Sequence, residues 1–131
     1  MAMAIQGISK AVVPVRDQER AKRFWTETVG FALTTDAAYD DQGARWVEVT
    51  APNGSSVLIL SASESDRAVF RDHGDGVPTA TFFLYADDVQ RTYEELSAKG
   101  VEFPEPPVQQ PWGWWSTFLD SEGNRFTLQQ A

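Results

Sequence analysis

The second half of this 131-residue chain repeats the order of key residues found in its first half. The residues that begin and end a candidate helix recur 70 positions later: Asp17, Gly30 and Phe31 match Asp87, Gly100 and Val101. The residues of a candidate hairpin recur 69 positions later: Trp46, Gly54, Val57 and Ile59 match Trp115, Gly123, Phe126 and Leu128. Repetition at this length indicates a duplicated supersecondary unit, which restricts the fold more than any single motif does.

Each half has the pattern of a strand, a capped helix, a glycine and three further strands. Asp17 is a suitable N-cap, apolar residues follow it at helical spacing, and Gly30 suits a left-handed C-cap. In the second half, Asp87 or Asp88 caps a helix that ends at Gly100. The predicted strands cover residues 5–15, 31–35, 44–50 and 57–60, and then 79–86, 101–103, 114–119 and 125–129. We therefore predict an α+β fold of two tandem βαβββ units, each with a helix against one face of a small curved mixed sheet.

The length is that of one domain, so both units are expected to share a core. Repeat 1 spans residues 5–61 and repeat 2 spans residues 79–130. A polar loop over residues 62–78 joins them, with one helical turn over residues 66–70. His73 lies in this loop, and we interpret it as a solvated residue because no strand or long helix is predicted to fix its orientation.

Composition excludes several classes of function. The net charge of −8 repels nucleic acid and anionic membranes and favours cationic ligands. The absence of cysteine excludes disulfides, thiolate metal sites and cysteine nucleophiles. No apolar run reaches the roughly 18 residues of a membrane-spanning helix, and no signal peptide pattern is present. We expect a cytoplasmic protein with no nucleic-acid or membrane partner.

The stretch from residue 109 to residue 120, QQPWGWWSTFLD, is the most aromatic part of the chain. Pro111 and Gly113 bend the backbone around Trp112 before a strand begins. Along that strand, alternation places Trp114 with Ser116 and Phe118 on one face, and Trp115 with Thr117 and Leu119 on the other. A tryptophan-lined wall on a twisted hairpin is therefore predicted.

Three stretches in this order identify a family resemblance. They are Val13-Pro14-Val15-Arg16-Asp17, the spacing of Phe24-Trp25 to Gly30-Phe31, and Gln110-Pro111-Trp112-Gly113 running into Phe118-Leu119-Asp120 and Gly123-Asn124. With the duplicated βαβββ pattern, the chain resembles the vicinal oxygen chelate superfamily, which includes glyoxalase I, bleomycin resistance proteins and extradiol dioxygenases. The ending looks most like the bleomycin resistance branch. The resemblance implies curved sheets around a concave pocket, and a homodimer that completes the ligand crevice.

Metal-using members of that family carry histidine and glutamate ligands on the strands. Carried over to this chain, those positions fall approximately at Lys10, Glu48, Thr81 and Thr127. Only Glu48 is a competent ligand, because lysine repels a cation and threonine hydroxyls bind zinc, nickel or iron poorly. We therefore expect no metal and no other cofactor.

The candidate ligand-binding residues are Trp46, Glu48, Trp112, Trp114, Trp115 and Phe118. Aromatic rings offer broad apolar surfaces and attract cations, and Trp46 beside the Glu48 carboxylate suits a cationic ligand. Because neighbours on a strand alternate, at least one of Trp114 and Trp115 is expected to pack in the core. Trp46 and Glu48 also have an alternative interpretation. Trp46 would pack against the helix, and Glu48 would be exposed or paired with Lys10 or Arg45.

Three hypotheses of function follow. The leading one is a metal-independent small-molecule binding protein of the glyoxalase/bleomycin resistance type, which sequesters an antibiotic or another cationic, aromatic ligand. The second is an enzyme of the same superfamily, a lyase, isomerase or dioxygenase, that uses Glu48 as base or metal ligand. The third is an interaction or structural subunit whose concavity is filled by its own side chains. We assign no catalytic residue.

Overall fold

The elements alternate in the order expected for two repeated units. The computed structural model of the protein describes residues 4–38, 40–41, 43–73 and 82–131, without the side chains of residues 72 and 73. The first unit contains β1 (Ala11–Pro14), α1 (Gln18–Arg23), β2 (Ala32–Ala38), β3 (Arg45–Thr50) and β4 (Val57–Ser61). A helix α2 (Glu64–His73) follows. The second unit contains β5 (Phe82–Ala86), α3 (Val89–Ala98), β6 (Val108–Gln110), β7 (Gly113–Leu119) and β8 (Arg125–Gln130).

The two four-stranded sheets have the same topology. Their strand orders are β1-β4-β3-β2 and β5-β8-β7-β6. In each sheet the first strand pairs in parallel with the last strand of its unit, and the remaining pairs are antiparallel. The predicted α+β class and the duplicated βαβββ architecture are confirmed.

The spacing from N-cap to terminal glycine is one residue longer in the first unit, from Asp17 to Gly30, than in the second, from Asp88 to Gly100. The Asp17 side chain accepts a hydrogen bond from the Arg20 backbone N–H, and Asp88 caps α3 in the same way. The structural repeat of the cap is therefore 71 positions, which corrects the match of Asp17 to Asp87. The extra residue is accommodated because residues Phe24–Val29 continue α1 as a π-helix, a wider turn that ends at Gly30 with φ of 101°.

The repeat also shifts by one residue in the last strand of each unit. The connection between β7 and β8 is one residue shorter than that between β3 and β4. Leu58 and Leu60 of β4 are buried in the core, as Phe126 and Leu128 of β8 are. The sequence comparison, which matched Val57 and Ile59 to Phe126 and Leu128, was therefore wrong by one position.

Three predicted segments differ from those observed. The predicted loop over residues 62–78 contains the ten-residue helix α2, of which the sequence predicted one turn. Its start is fixed by Ser63, whose hydroxyl oxygen accepts from the Asp66 N–H at 3.3 Å. The first strand covers only Ala11–Pro14 of the predicted 5–15, and residues 101–103 contribute only an isolated bridge from Glu102 to Leu119.

One hydrophobic core joins the units, with Trp25 at its centre. This side chain is fully buried, and its ring lies 4.9 Å from Phe126 and 6.5 Å from Phe118, centroid to centroid. Trp25, in the segment that continues α1, therefore reaches the sheet of the second unit. The helix ends are joined as well, since the Lys99 ammonium donates to the Thr28 carbonyl at 3.1 Å. In the described residues, no helix has both the length and the apolar character needed to cross a membrane.

Candidate functional site

Each sheet has one face that points away from α1, α3 and the shared core, and we call this side the open face. Strand alternation and pairing assign residues to it. In the first sheet it carries Val12, Trp46, Glu48 and Ile59. In the second sheet it carries Phe83, Tyr85, Val108, Trp115, Thr117 and Thr127. Val12 of β1 and Phe82 of β5 line one cavity of about 30 Å³ where β1 meets the second sheet.

An aromatic patch covers the open face of the second sheet. We define it as Phe83, Tyr85, Trp112 and Trp115. The Trp115 ring lies 5.5 Å from Trp112 in an edge-to-face arrangement and 6.1 Å from Phe83, so three rings are contiguous. Phe83, Tyr85 and Trp112 are 54%, 79% and 62% exposed. Contiguous exposed apolar surface of this kind marks a binding site more often than a single exposed side chain does.

The opposite face of the same strand belongs to the core. Phe118 has no exposed surface, and its ring stacks on Phe126 at 5.6 Å, so Phe118 cannot contact a ligand on the open face. Trp114 lies on the same side and packs against the core. Phe118 and Trp114 therefore do not belong to a ligand site on the open face. Strand alternation predicted core packing for at least one of Trp114 and Trp115.

A polar cluster occupies the open face of the first sheet, and we define it as Lys10, Trp46 and Glu48. The Lys10 ammonium donates to Glu48 Oε2 at 2.7 Å, and the Trp46 indole N–H donates to the same oxygen at 2.5 Å. The pairing with Lys10 that the sequence left open is thus observed, whereas Glu48 is buried rather than exposed. Arg45 points to the other side of β3 and pairs with Asp36 instead.

These hydrogen bonds determine the proton affinity of Glu48. The bond from Lys10, followed by that from Trp46, holds the pKa of Glu48 below its usual range despite burial. A carboxylate stabilised in its charged form is a poorer proton acceptor than the lone buried carboxylate considered for a catalytic base. The geometry therefore disfavours Glu48 as a general base.

The donors at the family's metal positions do not fit a divalent metal. Glu48 Oε2 already accepts two hydrogen bonds, and Lys10 adds a positive charge beside it. The Thr127 hydroxyl is hydrogen-bonded to that of Thr117 at 3.1 Å, and Thr81 lies outside the described residues. Among the residues that the structure describes, no group of three histidine, aspartate or glutamate side chains is arranged for metal binding. The side chain of His73 also lies outside the description.

The turn between β7 and β8 holds the second sheet against β1 of the first. The Asn124 side-chain amide donates to the Pro14 carbonyl at 2.8 Å and to Asp120 Oδ2 at 3.1 Å. Glu122 accepts from the Asp17 backbone N–H at 3.1 Å and lies 3.6 Å from the Arg16 guanidinium. These contacts fix the relative position of the two open faces.

The fold and the open face define a class: a duplicated βαβββ protein in which a shared core supports a face that carries an aromatic patch and a polar cluster. The model of the Glyoxalase/Bleomycin resistance protein/Dioxygenase superfamily matches residues 7–128. The chain therefore belongs to this superfamily, as the sequence motifs indicated.

Similar proteins support the same assignment. The chain is 35% identical over 126 residues to the uncharacterized protein YetH of Bacillus subtilis (strain 168), covering 96% of this chain and 99% of that one. The crystal structure of UcmS2 has a TM-score of 0.83 at 29% identity, covering 97% and 100% of the two chains. That of TnmS3, an antibiotic binding protein from Streptomyces sp. CB03234, has a TM-score of 0.80 at 32% identity, covering 98% of each.

Sequence reasoning missed two members of the aromatic patch. Phe83 and Tyr85 were assigned to a strand but not to a site. The available signal was the alternation in β5, where Phe82 and Leu84 pack against the core and the residues between them point outward. Trp115 lies 32 residues from Phe83 along the chain, and no signal in the sequence indicated that the two rings are adjacent in space.

Proposed function

We propose that this protein binds a small aromatic molecule on its open face and holds it without breaking a bond. The observation that carries the proposal is the contiguity of Trp112, Trp115 and Phe83, with Tyr85 beside them. Stacked or edge-to-face aromatic contacts contribute about 0.5–1.5 kcal/mol each beyond the burial of apolar area. Three adjacent rings therefore offer enough surface for a planar ligand.

The similarity to an antibiotic binding protein favours this type of function over catalysis. Sequestration requires only that the bound compound be kept from its target, so an antibiotic is a suitable ligand. We propose that binding is independent of metal. At the family's metal positions, Lys10 and Glu48 form an ion pair, and the Thr127 hydroxyl is hydrogen-bonded to that of Thr117. We also propose a homodimer in which the second subunit covers part of the open face.

Calorimetric titration tests the proposal with three probes: bleomycin, daunorubicin and the neutral ring compound 2-naphthol. At least one should bind, and the Trp115→Ala and Trp112→Ala variants should each weaken that binding by about fivefold or more. Trp114→Phe is the control, because Trp114 lies on the other face of the same strand and its replacement keeps an aromatic ring there.

Two results would contradict the proposal. One is the absence of binding for all three probes at about millimolar concentration, the weak end of specific affinity. The other is an equal effect of the Trp115 and Trp114 substitutions. Chemical conversion of a bound probe, detected by chromatography after incubation, would instead favour an enzyme.

A further inference from the structure

A polar side chain, that of Gln129 in β8, lies among the residues of the aromatic patch. Strand register places Gln129 directly opposite Trp115 of β7 and beside Tyr85 of β5, on the same open face. Val108 of β6 pairs with Trp115 and completes this row across the sheet. Residues opposite one another in an antiparallel pair have Cβ atoms about 4.5–5.5 Å apart. The Gln129 side chain is therefore within reach of a ligand that rests on Trp115.

The amide group of Gln129 keeps its hydrogen-bonding capacity. The residue is half-buried, and its amide has two N–H donors and an oxygen that accepts. Within the part of the chain that the structure describes, this side chain makes no hydrogen bond to another residue. Thr127 of the same strand differs, because it is 3% exposed and its hydroxyl is bonded to that of Thr117. The Gln129 amide is therefore a polar group that a ligand on the patch can engage.

We infer that Gln129 is the specificity-determining residue of the proposed ligand site, and that it selects planar aromatic ligands whose edge carries a hydrogen-bond donor beside an acceptor. Ring lactams have such an edge. This inference rests on the proposed function and names the ligand class of the same site. The ring of the ligand lies against Trp115, and its polar edge faces the Gln129 amide. A glutamine amide pairs with such an edge through two hydrogen bonds, as it does with the edge of adenine.

Selection follows from the cost of leaving the Gln129 amide without a partner. A ligand on Trp115 displaces water from this amide and must replace the hydrogen bonds that the water made. A polar group left unpaired in this way weakens binding by about tenfold. A hydrocarbon ring therefore gains from its contact with Trp115 and loses at Gln129, whereas a ring with a matching edge gains at both. Such sites reject a ligand that lacks the polar group more strongly than one of slightly different size.

Two probes with the same ring test the inference. They are 2-quinolone, whose ring N–H lies beside its carbonyl, and N-methyl-2-quinolone, in which a methyl group replaces that hydrogen. Both are neutral, so the net charge of −8 does not distinguish them. Calorimetry on the wild-type protein should show about tenfold tighter binding of 2-quinolone. Gln129→Met keeps the length of the side chain but has no amide, and it should reduce the preference to less than about twofold.

Gln109→Met is the matched control. Gln109 is an exposed glutamine of β6 that follows Val108, so it lies on the opposite face of the second sheet. Its replacement should leave the preference for 2-quinolone unchanged. Circular dichroism of both variants checks that they are folded.

The outcomes separate this inference from the proposed function. Equal binding of the two quinolones by the wild-type protein, or a preference that survives Gln129→Met, overturns the selection by Gln129. If Trp115→Ala then still weakens both quinolones, the aromatic site stands without it. If neither quinolone binds the wild-type protein, the inference falls, and 2-naphthol binding decides separately whether the proposed function falls too.

Discussion

Trp112 and Phe118 lie six residues apart and have opposite environments. Phe118 is completely buried and contacts the rings of Phe24, Trp25, Phe103 and Phe126, whereas Trp112 is 62% exposed. The difference follows from strand alternation and from the position of Trp112 in the turn before β7. Burial, rather than residue type, therefore decides which aromatic residue stabilises the fold and which is available to a ligand.

Phe118→Ala should lower the free energy of unfolding by about 3–5 kcal/mol, because it removes a ring from a packed core and leaves a cavity. Urea denaturation monitored by circular dichroism measures this change. Trp112→Ala is the control on the same chain segment and should change stability by less than about 0.5–1 kcal/mol. A larger loss for Trp112→Ala than for Phe118→Ala would contradict the assignment of faces.

Asp120 is a buried carboxyl group whose ionisation is opposed by its surroundings. Asp120 is 7% exposed, and burial raises the pKa of its carboxyl group to about 6. The pKa is raised although three N–H groups of Glu122 and Asn124 donate to this carboxyl group. The nearby Glu122 carboxylate also raises the pKa of Asp120. A raised pKa in the folded state stabilises the protein at low pH, and this contribution is lost as pH rises through about 6.

Between about pH 4.5 and about pH 7.5, Asp120 should therefore reduce the free energy of unfolding by roughly 2 kcal/mol. Asp120→Asn cannot ionise, so its stability should fall less over the same interval. Urea denaturation of both proteins at several pH values measures the difference. Parallel profiles for the wild-type protein and the variant would show that Asp120 titrates alike in the folded and unfolded states.

At the scale of elements, corresponding turns of the two repeats have different roles. The turn between β3 and β4 is exposed, and the Asn53 side-chain oxygen there accepts from the backbone N–H and the hydroxyl of the neighbouring Ser55. The turn between β7 and β8 is buried, and Asn124 there donates across the repeat boundary to Pro14. The second turn therefore contributes to the assembly of the two units, and the first only to its own hairpin.

Asn124→Ala should cost about 2 kcal/mol of stability, since it removes the side-chain amide that donates to the Pro14 carbonyl and to Oδ2 of the buried Asp120. Asn53→Ala, the corresponding change in the other turn, should cost less than about 1 kcal/mol. Chemical denaturation of both variants measures this contrast. Equal losses would mean that the contact with Pro14 adds nothing to the stability of the paired units.

The π-helical segment shows how an element absorbs a difference between the repeats. The first helix has one residue more between its N-cap and its terminal glycine than α3 has. The wider turn over Phe24–Val29 takes up this residue near Trp25, the centre of the core. Sequence periodicity predicted a helix there correctly, but periodicity does not distinguish an α-helix from one that contains a wider turn.

At the scale of the whole molecule, a single subunit leaves many apolar side chains in water. Ile5 and Ile8 are 82% and 93% exposed, in addition to the aromatic patch. A second copy of the chain would remove part of this surface from solvent, which is the main favourable term in most association. These exposures add to the family resemblance as support for the proposed homodimer.

Light scattering coupled to size-exclusion chromatography should give about twice the mass of the 14.6 kDa chain at micromolar concentration. Ile8→Asp should shift the protein towards the monomer, because it places a charge in the covered surface. Arg91→Asp on the exposed side of α3 is a control that should not. A monomer at every concentration tested would refute the dimer proposal.

The amino-acid sequence by itself determined the duplicated α+β architecture, the Asp17 helix cap and the two faces of β7, because caps and strand alternation depend on residues close together in the chain. Only the tertiary structure decided that Lys10 pairs with Glu48, and that Phe83 completes the surface begun by Trp112 and Trp115. It also decided that Phe118 lies in the core shared with Trp25. The physical reason is that each of these contacts joins strands or helices that are distant in the chain. Which side chains meet depends on how these elements are aligned, and turn lengths and the wider helical turn set that alignment.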